Sequence, residues 1–107
     1  MSQHLADRLK ALGHLARLEI LRVLAARGTC GCGEVVEVMP LAQATVSQHL
    51  KVLKEAGLIR GRIDGKNSCY CLDPHGIAEL RDALDQFLGG LSRAAWTTRE
   101  PEKERQE

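Results

Sequence analysis

Apolar residues recur at helical spacing over the first quarter of the chain. Leu5, Leu9 and Leu12 predict a helix from Ser2 to Leu12, and Gly13 interrupts it. A second helix is expected from Leu15 to Arg27, with Leu18, Leu21 and either Leu24 or Ile20 facing inward; Gly28 is its natural stop. The run Thr29-Cys30-Gly31-Cys32-Gly33 reads as a glycine-rich lead into a short helix over Gly33–Met39, which Pro40 ends. A fourth helix begins after Leu41, carries Val46, Leu50 and Leu53 at i, i+4 and i+7, and closes at Gly57.

The period then changes from helix to strand. Leu58 to Ile63 predicts one strand, Asp64-Gly65 a hairpin turn, and Asn67 to Leu72 the returning strand. Asp73-Pro74 starts a last helix, with proline at its first position. Its stripe of Ile77, Leu80, Leu84, Phe87, Leu88 and Leu91 exceeds what a domain this small needs, so part of it is expected to face a partner. Trp96 is read as a packing anchor for the C-terminal segment.

Length and composition sharpen this picture. The chain has 107 residues, which suits one domain, and 44% are hydrophobic, yet it holds one Phe, one Trp and one Tyr. An aliphatic core this small is often completed by dimerisation. We expect a folded domain over 1–92 and a C-terminal tail, partly disordered, over 93–107, where mixed charge and Pro101 replace the apolar pattern. No apolar run is long enough to span a membrane and no signal peptide is evident, so a cytoplasmic location is expected. The four cysteines are then thiols by default.

Overall charge is nearly balanced, 15 basic residues against 14 acidic, and by itself suggests no partner. Its distribution does. Lys51, Lys54, Arg60, Arg62 and Lys66 are concentrated in the fourth helix and hairpin, against Glu55 and Asp64. Short helices followed by a two-stranded hairpin form the order of a winged helix-turn-helix. In that arrangement Gln43, Thr45, Ser47, Gln48 and His49 would offer donors and acceptors to base edges. Lys51 and Lys54 would lie toward phosphates, and Arg60, Arg62 and Lys66 would hold the backbone or minor groove. The plainer alternative is a solvated helix face and a charged hairpin.

Two runs decide between them. Leu12-Gly13-His14-Leu15-Ala16-Arg17-Leu18-Glu19-Ile20-Leu21 and the stretch from Leu41 through Gln43-Ala44-Thr45-Val46-Ser47-Gln48-His49-Leu50-Lys51 to Gly57-Leu58-Ile59 resemble the ArsR/SmtB family of metal-responsive winged helix-turn-helix repressors. The likeness spans Leu5 to Leu88 in unbroken order. It implies a mainly α-helical, homodimeric winged helix-turn-helix protein that binds double-stranded operator DNA and releases it when a metal or other inducer binds. It also implies that the first and last helices form the dimer interface, here through Leu5, Leu9, Leu80, Leu84, Phe87 and Leu88.

Within that family, Cys30-x-Cys32 stands where the arsenic-type subgroup often carries Cys-x-Cys, at the start of the helix before the recognition helix. Thiolates are soft ligands, which suits arsenite, cadmium, zinc or lead as inducer. On a helix, positions two apart point about 200° apart, so ligation would require the first turn to unwind; Gly31 and Gly33 would ease that. The third cysteine often found three positions later is Val35 here. A third ligand is sought in Cys69 or Cys71, which share a face of the second hairpin strand, or in His4 of the partner. The family's other site, at the last helix, is half matched: Asp73 and His75 fit, but Gln86 and Gly89 do not. His14 and His75 are read as capping or surface residues, and His49 as a DNA or packing residue.

Two further mechanisms fit the same fold. One is a thiol redox switch in which Cys30 or Cys32 oxidises with another thiol; closure between those two alone would be strained. The other is a non-sensing repressor in which cysteines act as small hydrophobes. An enzyme is not expected, because the chain holds no glycine-rich phosphate loop, no paired-carboxylate pocket and no Ser/His/Asp order. No organic cofactor is expected either.

Overall fold

A computed structural model describes residues 2–28, 30–32, 41–64 and 67–97. Its elements are α1 (Ser2–Leu12), α2 (Leu15–Ala26), β1 (Cys30–Cys32), α3 (Gln43–Glu55), β2 (Ile59–Arg62), β3 (Cys69–Leu72) and α4 (Pro74–Thr97). The short helix expected over Gly33–Met39, and the hairpin residues Gly65 and Lys66, lie outside the described residues. The mainly helical architecture with a β-hairpin wing is as expected, with one addition: β1 joins the hairpin to make a three-stranded antiparallel sheet in the order β1-β3-β2.

Local chemistry accounts for the helix ends. His14 precedes α2 in extended conformation, and its Nδ1 accepts the Ala16 N–H at 3.1 Å. Gly57, at φ +79, ends α3: the Leu58 N–H reaches the Leu53 carbonyl and the Gly57 N–H the Lys54 carbonyl, the paired bonds of a Schellman motif. Asp73 begins α4 by accepting the His75 and Gly76 N–H groups at 3.0 and 3.2 Å, with Pro74 at the first helical position. Gly76 is buried there, and any Cβ on it would overlap the Gly57 carbonyl, so the start of α4 packs directly on the exit from α3.

Ile20 and Leu24 of α2, Val46, Leu50 and Leu53 of α3, and Leu58, Ile59 and Tyr70 from the sheet and its approach are all buried together. Burying each large apolar side chain contributes roughly 1.5–3 kcal/mol. Of the alternatives for α2, Ile20 and Leu24 face the core, whereas Leu18 is exposed. Tyr70 of β3 has Gly31 on one flanking strand and Gly61 on the other as register partners. Two glycines leave room for the ring on the inner face. Gly61, at φ +124, is doubly constrained, because a Cβ on it would run into the Cys69 carbonyl.

Three expectations are corrected. Cys30 and Cys32 lie on a strand, not at the start of a helix, because pairing with β3 supplies the backbone hydrogen bonds a helix would otherwise provide. Leu5 and Leu80, expected at a dimer interface, are buried in the chain's own core, where α1 packs on α4. Trp96, expected to anchor the C-terminal segment, is 83% exposed and anchors nothing among the described residues.

Candidate nucleic-acid interface

Helix α3 is held by its apolar face and presents the other. Val46, Leu50 and Leu53 are fully buried, while Gln43, Thr45, Gln48 and Lys51 are exposed. Gln43, Ala44, Ser47, Gln48 and Lys51 line an open groove of about 610 Å³, closed on the other side by Ile63 and Asp64 of the wing. Gln43, Gln48 and Lys51 are therefore displayed to a ligand lying in that groove. Asp64 adds an anionic group at its wing edge, which a phosphate would have to avoid.

The remaining predicted contacts divide by partner. The Ser47 hydroxyl is covered and has no hydrogen-bond partner among the described residues. The Lys54 ammonium donates to the Gly61 carbonyl at 2.6 Å and so ties α3 to β2. Arg62 donates to the Asn67 carbonyl at 3.0 Å across the wing turn, and the Asn67 N–H returns to the Asp64 carbonyl. Arg60 is exposed on β2. Lys66 lies outside the described residues.

His49 turns back toward α2. Its ring centroid lies 4.4 Å from that of His14. Burial, then the neighbouring His14, then Arg17 hold its pKa below the usual 6.5, since each disfavours the imidazolium. His49 is therefore a packing residue at the α2–α3 contact, and Thr45 shares that flank, where both line a cleft with His14, Leu15 and Leu41.

Sequence reasoning missed Arg8. Its Nε donates to the Ala56 carbonyl at 2.8 Å, at the C-terminus of α3, and its Nη1 pairs with Glu79 of α4 at 3.0 Å. The side chain is 14% exposed. A cation at a helix C-terminus meets the negative end of the helix dipole, so Arg8 links α1 to the end of α3 and to α4. Nothing in local periodicity marks it, because both partners are distant in sequence.

The cysteines are brought together by the sheet. β1 and β3 pair so that Cys30 faces Cys71 and Cys32 faces Cys69. Cys30 and Cys71 are joined by a disulfide; Cys69 is a free, half-buried thiol. The same outer face carries Arg60 opposite Cys71 and Arg62 opposite Cys69 on β2. The side chain of Cys32 lies outside the described residues. Among the described residues, no three His, Cys, Asp or Glu side chains converge as metal ligands. His4 is exposed on α1 and lines a cleft with Arg8, Glu79 and Leu80 that includes no cysteine. Asp73 and His75 cap α4. Among the described residues no helix is long and apolar enough to cross a membrane.

Comparison with known proteins agrees with this architecture. A family described as a helix-turn-helix domain matches residues 12–62, which include α3 and β2. An HTH-type transcriptional regulator of Mycobacterium tuberculosis is 44% identical over 78 residues, covering 73% of this chain and 72% of the relative. The arsenical resistance operon repressor of Bacillus subtilis is 40% identical over 75 residues, covering 69% of this chain and 70% of the relative. The solved structure of a possible transcriptional regulator for arsenical resistance superposes with a TM-score of 0.65 at 34% identity, over 88% of this chain and 98% of the other. All three are named as regulators or repressors, a non-enzymatic class. The chain thus belongs to the ArsR/SmtB family of winged helix-turn-helix transcriptional regulators.

Proposed function

We propose that this protein is a homodimeric repressor that binds double-stranded operator DNA and is released by a thiophilic ion, with arsenite first and cadmium, zinc or lead behind it. The observation that carries the inducer reading is the register of the sheet: two Cys-x-Cys runs, 41 residues apart in sequence at Cys30 and Cys71, meet on adjacent strands. The 40% identity to an arsenical resistance operon repressor supports arsenite at the head of that order.

A repressor of this kind would set α3 of each protomer in successive major grooves, about one helical turn apart. Gln48 and Gln43 would read base edges, and Lys51, Arg60 and Arg62 would contact phosphates. The exposed apolar residues Phe87, Leu88 and Leu91 of α4, with Leu9 of α1, would meet their counterparts on the partner.

The donor set is thiol, which fits a soft ion and not a hard one. Cys30 and Cys32, with Cys71 or Cys69 across the strand pair, would hold it once Cys30 and Cys71 are reduced. Because positions two apart on a strand share a face, the obstacle posed by a helix does not arise. The ion would act by favouring a state of β1 and the wing that docks poorly on DNA.

The test is fluorescence anisotropy of the reduced protein on its own upstream DNA, titrated with arsenite, cadmium and zinc. Release by arsenite or cadmium that is lost in Cys30→Ser supports the reading. Tight binding indifferent to every ion overturns it and leaves a repressor with structural cysteines.

A further inference from the structure

We propose that Cys30 and Cys71 form a reversible redox clasp that, when closed, leaves the DNA-reading unit assembled but withdraws the thiols an inducer needs. The inference rests, for its effect on induction, on the ion-responsive reading above; the clasp itself does not.

Three observations carry it. First, the two cysteines are register partners with Cα atoms 4.0 Å apart, the narrow kind of antiparallel pair in which side chains approach most closely, and they are bonded to each other. Second, the ring closed by this bond runs from residue 30 to residue 71 and encloses α3, β2 and every residue from Gln43 to Lys66 read above as a DNA contact. The bond therefore ties the strand that leads toward the recognition helix to the second strand of the wing. Third, the pair is accessible. Cys30 is exposed, Cys71 is half-buried, and both line an open cleft of about 640 Å³ between the outer sheet face and α4, with Arg60, Ile77, Arg81 and Asp85. An oxidant or a dithiol reductant reaches the sulfurs through this cleft.

The chemistry balances with a peroxide as oxidant. One thiolate attacks a peroxide oxygen, the O–O bond breaks, and a sulfenic acid forms as the first water leaves. The second thiol attacks that sulfur, the S–S bond forms, and the sulfenic oxygen departs as the second water. Two electrons pass from the sulfurs to hydrogen peroxide, and the two thiol protons end in water. A small dithiol reverses the bond by exchange through a mixed disulfide.

A bonded sulfur has no thiolate to give a soft ion. In the bonded structure α3 is still seated by Val46, Leu50 and Leu53, with Gln48 and Lys51 displayed. The oxidised protein therefore holds its operator and does not respond to inducer, and reduction restores the response.

The test compares the full chain oxidised with hydrogen peroxide and reduced with dithiothreitol. Peptide mapping of the oxidised form is expected to show Cys30 linked to Cys71, with the link absent in Cys30→Ser and Cys71→Ser; operator binding by the reduced variants checks that they fold. In anisotropy, both forms are expected to bind operator DNA, with arsenite releasing only the reduced one. Linkage of Cys30 to Cys32, linkage between protomers, loss of operator binding on oxidation, or equal release of both forms overturns the proposal. If arsenite releases neither form, the ion reading fails, and the clasp is judged by its mapped link and its reversal by dithiothreitol: their presence supports it and their absence overturns it.

Discussion

Helices α3 and α4 carry the same kind of apolar stripe, yet they end in opposite circumstances. In α3, Val46, Leu50 and Leu53 are each 0% exposed. In α4, Leu80 is buried, but Phe87, Leu88 and Leu91 are 48, 50 and 52% exposed. The first helix is completed by its own chain, against α2 and the sheet. The second is completed only at its start, where Asp73 caps it and Gly76 sits on Gly57. Equal periodicity thus marks an apolar face without saying whose surface covers it. An exposed stripe of this kind on a small protein is the surface that the proposed dimer would cover.

The comparison breaks most clearly at Phe87. If the distal half of α4 completes its core on a second copy, Phe87→Asp with Leu91→Asp yields a monomer in sedimentation. Operator affinity then falls by about 1,000-fold or more, toward non-specific binding. A double variant that remains dimeric places the interface elsewhere. Leu50→Ala probes the other helix. It should destabilise folding by about 2–5 kcal/mol in denaturant unfolding, with the cost independent of protein concentration apart from that of dimerisation itself.

Smaller effects test what α3 displays. Gln48→Ala is expected to lose about 1–3 kcal/mol of discrimination for the base it reads, measured as the ratio of operator to mutant-operator affinity. Arg60→Ala should instead weaken all DNA alike and lower the salt slope by about one. A changed operator preference in Arg60→Ala, or a changed salt slope in Gln48→Ala, would exchange their assignments.

The smallest effect concerns His49. Its folded pKa lies below 6.5, so below that pH the unfolded chain takes up a proton the folded one resists. The contribution is fully present above pH 6.5 and is lost as pH falls through the lowered folded value. His49→Gln should flatten the acid side of a plot of Tm against pH; an unchanged slope would remove His49 from the acid response.

Much of this site is legible along the chain. The capping residue Asp73, the stop at Gly57, the buried triad of α3 and the hairpin all follow from rules acting over four or five residues, and the structure agrees with each. The roles of Lys54 and His49 do not follow in this way. Both lie on a polar helix flank, and only the positions of Gly61 and His14 give their side chains partners within the protein. Arg8 is hidden for the same reason: its partners, Ala56 and Glu79, are 48 and 71 positions away.

The cysteines mark the boundary most sharply. Sequence alone determined that two Cys-x-Cys runs exist, the second on a hairpin strand and the first read as the lead into a helix, and its resemblance to a family pointed to a winged helix-turn-helix regulator. Whether Cys30 begins a helix or lies on a strand, and whether Cys71 is near it, was decided by tertiary structure. Local propensity is nearly neutral for a three-residue segment such as Cys30–Cys32, so the hydrogen bonds offered by β3 set its conformation. Antiparallel register then brings residues 41 positions apart into bonding reach, a contact that no local pattern encodes.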